Sequence, residues 1–204
     1  MQFEILAASQ RPNSQTLKVA QYIQSAIKRN FKDAKTGLTD LGTQPLPLWD
    51  SEFDEGPEWN ALWQPLASRL QKADAFVFLT PEWAGMASPA IKNFFLLCST
   101  EELGHKPALL VSVSAGRSGA YPIAELKLSS GKNNKVVYIP DHLIVRGVGG
   151  VLNTLTDQAP SSPEDELTRR RIDHSLLALN AYATALRQVR ETPGLFEKDF
   201  LNGM

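Results

Sequence analysis

The chain holds one cysteine, Cys98, among 204 residues. A lone thiol closes no internal disulfide, so nothing in the cysteine usage asks for an oxidising compartment. Histidine is scarce as well. His105, His142 and His174 lie far apart and lack metal-ligand spacing, so no metal site is expected. Neither sign of charge dominates: 21 Lys and Arg face 22 Asp and Glu, a net charge of −1. The basic excess typical of nucleic-acid or membrane-surface binding is therefore missing. No apolar run is long enough to span a bilayer. The N-terminus has neither the basic stretch nor the long apolar stretch of a signal peptide. These absences predict a cytoplasmic protein with no nucleic-acid or membrane partner. Internal repeats, low-complexity tracts and linkers are also lacking, as are a Walker loop, a GxGxxG fingerprint and a nucleophile elbow.

What remains is a core. Apolar residues make up 43% of the chain and charged residues 21%, ordinary values for a soluble globular protein. The length suits a single domain, expected over residues 1–204. An apolar run ends at Ser9, and apolar residues return at helical spacing at Val19, Ile23 and Ile27. That helix is predicted to end near Asn30. A short edge strand is predicted over residues 34–41, then a loop over 42–57 carrying Trp49 and Phe53. Trp59, Leu62 and Trp63 suggest one helical turn, and Pro65 the first residue of a new helix with Leu66 and Leu70 inward. Residues 75–79 form a continuous apolar run, the pattern of a strand covered on both faces, predicted to end at Thr80-Pro81. Ile91, Phe94, Phe95 and Cys98 share a helical face. Further strands are predicted over 108–113 and 136–145, the second broken by Pro140 and Asp141, with a helix over 121–129 between them. The last helix carries Ile172, Leu176, Leu179, Ala183 and Leu186, with Glu164, Asp165 and Glu166 in its first turn. Its Arg169-Arg170-Arg171 run reads as a solvated face with local ion pairs.

Strand and helix alternate five times, which predicts an α/β fold with a five-stranded parallel sheet and helices on both faces. Such sheets bind ligands at the carboxyl ends of their strands. Three of those ends carry distinctive loops. Ser9-Gln10-Arg11-Pro12-Asn13-Ser14 places hydroxyls, an amide and a cation at a helix start, where unpaired N–H groups attract an anion. A capped helix start explains the same residues. Thr80-Pro81-Glu82-Trp83-Ala84-Gly85-Met86-Ala87-Ser88-Pro89-Ala90-Ile91-Lys92-Asn93 joins a strand-ending turn to an apolar helix face. Ser114-Ala115-Gly116-Arg117-Ser118-Gly119 is a small, flexible turn.

Together these three stretches resemble the NADPH-dependent FMN reductase family, in order from Phe3 to about Leu128. The resemblance implies a flavodoxin-like fold with strand order 2-1-3-4-5, bound FMN, and NADPH or NADH as hydride donor. It implies a small-molecule electron acceptor (a quinone, azo compound, free flavin or metal ion) and a homodimer or homotetramer with flavin sites near the subunit interface. By the same resemblance Ser9, Arg11, Asn13, Ser14, Gln15 and Thr16 would hold the FMN phosphate. Pro81, Glu82, Trp83, Ala84, Gly85 and Met86 would lie along the flavin ring. Ser114, Ala115, Gly116, Arg117 and Gly119 would form a third wall, with Arg117 toward the NADPH 2′-phosphate. Trp83 stands where the family commonly has tyrosine, and Ala84 where it commonly has asparagine. No side chain is expected to act as a catalytic acid or base, because the flavin carries the chemistry. Trp49, Phe53 and Trp83 are expected to rim the site. The 42–57 loop and the Phe94/Phe95 helix are candidate interface elements.

Each residue keeps a plainer reading: a solvated Arg11, a capping Asn13, a core Trp83, a structural Glu82, an ordinary turn at Ser114. The whole-chain alternative is a flavodoxin-like electron carrier or flavin-binding module without nicotinamide activity. Its usual strong acidity is missing here. A flavodoxin-like protein that has lost its cofactor is a third reading.

Overall fold

Five parallel strands lie in the order β2-β1-β3-β5-β6, and a two-residue strand, β4, pairs antiparallel with the end of β3. The computed structural model describes residues 1–50 and 57–201, apart from the side chain of Glu58. The strands are β1 Gln2–Ala7, β2 Lys35–Asp40, β3 Ala75–Trp83, β4 Met86–Ala87, β5 Pro107–Val113 and β6 Val137–Val145. The helices are α1 Gln15–Asn30, α2 Pro57–Lys72, α3 Pro89–Leu97, α4 Thr100–Leu103, α5 Ala120–Ser129 and α6 Pro163–Arg190. With β4 set aside as a hairpin arm, this is the 2-1-3-4-5 order that the family resemblance implies. No helix among the described residues is long and apolar enough to cross a membrane.

The sheet separates two cores. Phe3, Ile5, Val77, Leu109 and Val111 pack against α1 and α6. Leu6, Phe76, Phe78, Ala108 and Leu110 pack against α2, α3 and α5. Alternation along each strand sends neighbouring side chains to opposite faces, so covered strands read as continuous apolar runs. Register brings the strand ends level. Ala7 sits beside Asp40 and Leu79, Pro81 beside Val113, and Val113 beside Val145. All five following loops therefore emerge at one rim.

Four local expectations are corrected. Pro65 does not open a helix: α2 is continuous through it. Trp59, Trp63, Leu66, Ala67 and Leu70 keep one buried stripe across the proline. The bond that Pro65 cannot donate would have gone to Ala61, an exposed residue where water can replace it. β3 does not end at Thr80-Pro81 but runs to Trp83, because Thr80 and Pro81 still pair with Ser112 and Val113 of β5. Arg169 is not solvated. It is buried against Asp165 at 3.1 Å and lies over the Tyr22 ring, while Arg171 reaches Asp141 at 2.9 Å. Leu186 is only half-buried. Phe53 lies outside the described residues.

Candidate functional site

The first wall is the turn between β1 and α1. Ser14 takes extended backbone angles and caps α1, its hydroxyl accepting the Leu17 N–H at 3.0 Å. Buried Ser9 accepts the Arg11 N–H at 3.2 Å, and Asn13 adopts a left-handed φ of 50°. This tight turn leaves the N–H groups of Asn13, Ser14, Gln15 and Thr16 without a partner among the described residues. The Ser9 and Ser14 hydroxyl protons are free to donate as well. Gly42, after β2, closes the loop from behind: a Cβ there would stand 2.9 Å from the Arg11 carbonyl oxygen and 3.0 Å from that of Ser9.

The second wall is a hairpin. Trp83 pairs with Met86 across a two-residue turn in which Ala84 and Gly85 have φ of 49° and 76°. Positive φ at both central residues marks the primed turn that suits a twisted hairpin. This gives a physical meaning to position 84, since Asn enters the left-handed region far more readily than Ala. The Arg11 guanidinium lies 5.1 Å from the centre of the Trp83 ring, joining the first wall to the second. Met86 is exposed at the hairpin tip.

The third wall follows β5. One Glu82 oxygen accepts the Ser118 hydroxyl and, at 3.1 Å, the Ser114 hydroxyl, while the other carboxylate oxygen is buried without a partner among the described residues. These bonds, the Ser118 hydroxyl first, hold the Glu82 carboxyl below its ordinary range against the opposing effect of desolvation. Glu82 is thus a fixed anion that pins two loops together, the structural role its position suggested. Gly119 is required here, because its φ is 106° and a Cβ would lie 2.4 Å from Ile144 Cγ2. Ala115, Gly116 and Arg117 are exposed at the rim.

Other residues hold these walls in place, and sequence reasoning did not single them out for it. Ser88 is fully buried. Its hydroxyl donates to the Ala8 carbonyl at 2.5 Å and accepts the Ile91 N–H at 3.3 Å, while its N–H donates to Thr80 Oγ1 at 3.0 Å. One serine therefore ties the first loop to β3 and caps α3. Glu125 of α5 accepts the Ala87 N–H at 2.8 Å and the Lys92 ammonium at 2.9 Å. Asn93 holds the 42–50 segment through the Pro47 carbonyl and the Trp49 N–H. A fourth loop, after β6, also reaches the rim. Arg146 Nε donates to the Ser118 carbonyl at 2.9 Å, and the Gly147 N–H to that of Gly116 at 3.0 Å. The Gly147-Val148-Gly149-Gly150 run was the available signal for it.

The donor set suits a phosphate: unpaired N–H groups at a helix start, two free hydroxyl protons and a guanidinium. The hairpin and the glycine-bearing third loop suit a flat ring lying against backbone. Among the described residues no group of His, Cys, Asp and Glu could hold a metal. Cys98 is buried, and burial pushes its thiol well above the ordinary range, so it is a core residue.

A parallel sheet in this order, with its candidate site at the carboxyl ends, defines the flavodoxin-like class of α/β protein. A solved oxidoreductase from Corynebacterium diphtheriae has the same fold, with a TM-score of 0.68 at 14% identity over 90% of this chain and 97% of that one. The sequence model of the NADPH-dependent FMN reductase family matches residues 1–150. The chain belongs to that family. An NADPH azoreductase from Bacillus sp. (strain OY1-2) is 29% identical over 119 residues, 58% of this chain and 62% of the relative. An FMN-dependent NADPH-azoreductase from Staphylococcus saprophyticus is 27% identical over 128 residues, 61% of this chain and 66% of the relative. In both, the match spans just under two thirds of the relative's length.

Proposed function

We propose that the protein is an FMN-dependent NAD(P)H oxidoreductase that delivers electrons to a small, flat acceptor such as an azo compound, a quinone or a free flavin. One observation carries the reading. The three family-like loops meet in one surface, through Arg11 against Trp83 and Glu82 against Ser114 and Ser118, beside a helix start with unpaired donors. Membership of the family and the two azoreductase relatives support it.

In this reading Ser9, Ser14 and the N–H groups of Asn13 to Thr16 bind the FMN phosphate, with Arg11 adding charge. The backbone from Pro81 to Met86 lines the ring, Trp83 covers its edge, and Ser114 to Gly119 close the far side. Bound FMN supplies the hydride-accepting and electron-donating chemistry. Glu82 keeps the second and third walls at a fixed spacing through Ser114 and Ser118, and in this reading it moves no proton. Gly85 lets the hairpin approach the ring closely. The reading extends to a cytoplasmic homodimer or homotetramer. The exposed apolar side chains Leu96 and Tyr121, on helices α3 and α5, favour such an assembly.

The test is NADPH oxidation by the FMN-loaded protein, with a quinone and an azo dye offered as acceptors. Turnover with either agrees with the proposal. Tight FMN binding without NADPH oxidation would transfer the protein to the electron-carrier reading.

A further inference from the structure

An apolar groove begins beside the anion loop. Its first section, of about 60 Å³, lies against Gln10 of that loop. It is walled by Leu41, Leu46 and Leu48 from the segment after β2, and by Pro89 and Ala90 of α3. A second section, of about 460 Å³, shares Pro45 and Leu46 with the first and continues along α2 over Ala61, Leu62, Pro65 and Leu66. Its one charged side chain among the described residues is already engaged: Arg69 donates to Thr39 and faces the buried Glu4 carboxyl at 3.6 Å. The walls are held in shape. Asn93 commits both ends of its amide, to the Pro47 carbonyl at 2.9 Å and the Trp49 N–H at 2.8 Å. Asp40 accepts the Gly42 N–H at 3.1 Å through its carboxylate and the Gln44 N–H at 2.9 Å through its carbonyl. Even so, Leu48 is left 79% exposed and Leu62 53% exposed. Two leucines kept in water beside a groove with fixed apolar walls mark a place where an apolar body binds.

We infer that this groove takes the aliphatic tail of a lipophilic quinone whose ring is reduced at the flavin. The inference rests on the oxidoreductase reading and narrows its acceptor. The volumes decide between a ring and a chain. A cavity of about 150 Å³ holds one benzene ring. The section beside Gln10 is far smaller and admits only a chain, whereas the section along α2 falls within the range of small-molecule sites. Position decides between a separate ligand and part of the acceptor. The groove opens between the loop that carries Ser9 and Arg11 and the helix that follows the hairpin, so a molecule with its head at the flavin reaches it with its tail. Because the walls are already fixed, little ordering cost offsets the burial of the tail. The reaction is unchanged: two electrons and two protons turn the quinone into a hydroquinone. NADPH supplies both electrons and one proton as hydride, and solvent supplies the second proton.

The test offers the FMN-loaded protein naphthoquinones bearing methyl, butyl or hexyl chains, with NADPH as donor. The same protein is titrated calorimetrically with the matching alkylnaphthalenes, which carry the tail but no quinone. Wild type is compared with Leu48→Gln and Leu62→Gln, at two exposed positions outside the cofactor loops. Each methylene fully covered by the groove lowers KM, and the alkylnaphthalene Kd, by about fourfold, while kcat stays within about twofold. Both variants should flatten this dependence on chain length and leave the methyl quinone within about twofold of wild type. A wild-type KM and Kd that ignore chain length, or a dependence that neither variant alters, would overturn the inference. Variants that split an oligomer in light scattering yet keep the full dependence would assign the groove to a subunit contact, and overturn it too. The methyl quinone judges the oxidoreductase reading separately. If wild type reduces no quinone, that reading and the quinone assignment fail together, whereas alkylnaphthalene binding that grows with chain length and is lost in both variants keeps the apolar-chain site.

Discussion

Ser88→Ala removes one hydroxyl from the place where the phosphate loop, β3 and α3 meet. The side chain is fully buried, so water cannot replace what is lost. Two bonds disappear, the donor to the Ala8 carbonyl at 2.5 Å and the acceptor for the Ile91 N–H at 3.3 Å. Losing an N-cap costs about 1 kcal/mol. Leaving a buried carbonyl without a partner costs about 1–3 kcal/mol. The two terms share one atom and overlap, so about 2–3 kcal/mol is expected, which for a chain of this size lowers Tm by about 4–12 °C. Ala8 immediately precedes Ser9, so relaxation of its carbonyl should also loosen the anion loop and weaken FMN binding. Thermal and urea unfolding of the cofactor-free variant give the first quantity, and fluorescence titration with FMN gives the second. Ser88→Thr keeps the hydroxyl and should recover most of both. A stability loss under about 0.5 kcal/mol, with unchanged FMN affinity, would refute the claim that this serine joins two walls of the site.

Arg11→Ala should weaken FMN binding by about tenfold or more, the usual loss for a charge-assisted bond, while unfolding of the cofactor-free protein stays within about 0.5 kcal/mol; fluorescence titration and urea melts check both. Ala84→Gly and Ala84→Asn should each stabilise the cofactor-free protein by about 1 kcal/mol, because both residues tolerate the left-handed turn that alanine now occupies; a lower urea midpoint in either would contradict the hairpin geometry. Burial alone would raise the Asp165 carboxyl, but the N–H groups of Ser161 and Leu152 and the Arg169 guanidinium outweigh it and hold it at about 2. A carboxyl depressed in the folded state stabilises above its unfolded pKa, so its contribution is full above pH 4 and fades as pH falls toward 2. The loss is about 2 kcal/mol, and acid titration of Asp165→Asn, followed by circular dichroism, should lack that part of the slope.

The sheet was legible because its strands are covered on both faces and so read as unbroken apolar runs, as at residues 75–79. The 3- and 4-residue spacing of Ile172, Leu176, Leu179 and Ala183 marked α6 just as directly. Pro65 misled because helix-start chemistry is a local rule, whereas the Trp59–Leu70 stripe that holds α2 together is a tertiary one. Arg169 misled for a related reason. Its neighbours in sequence are solvated, and only the fold reveals that Asp165 and the Tyr22 ring are waiting for it. At the site, the motif residues were readable by type and order. Their mutual contacts were not, because Arg11 and Trp83 stand 72 positions apart in sequence and meet only when β1 and β3 are aligned. Ser88 stood inside the middle motif, but its bond to the Ala8 carbonyl, like that of Glu125 to the Ala87 N–H, was not legible, since both are made to backbone groups of distant residues. The alanine at position 84 became intelligible only once its left-handed φ was known.

The central claim is that the loops after β1, β3 and β5 form one site that holds FMN where a nicotinamide can reduce it. The most direct measurement is the visible spectrum of the protein titrated with FMN and then mixed with NADPH without oxygen. The account predicts a perturbed flavin spectrum that saturates at one FMN per chain, followed by bleaching of the visible flavin absorbance on mixing. A flavin spectrum unchanged by the protein, or a bound flavin that NADPH leaves oxidised, would contradict it.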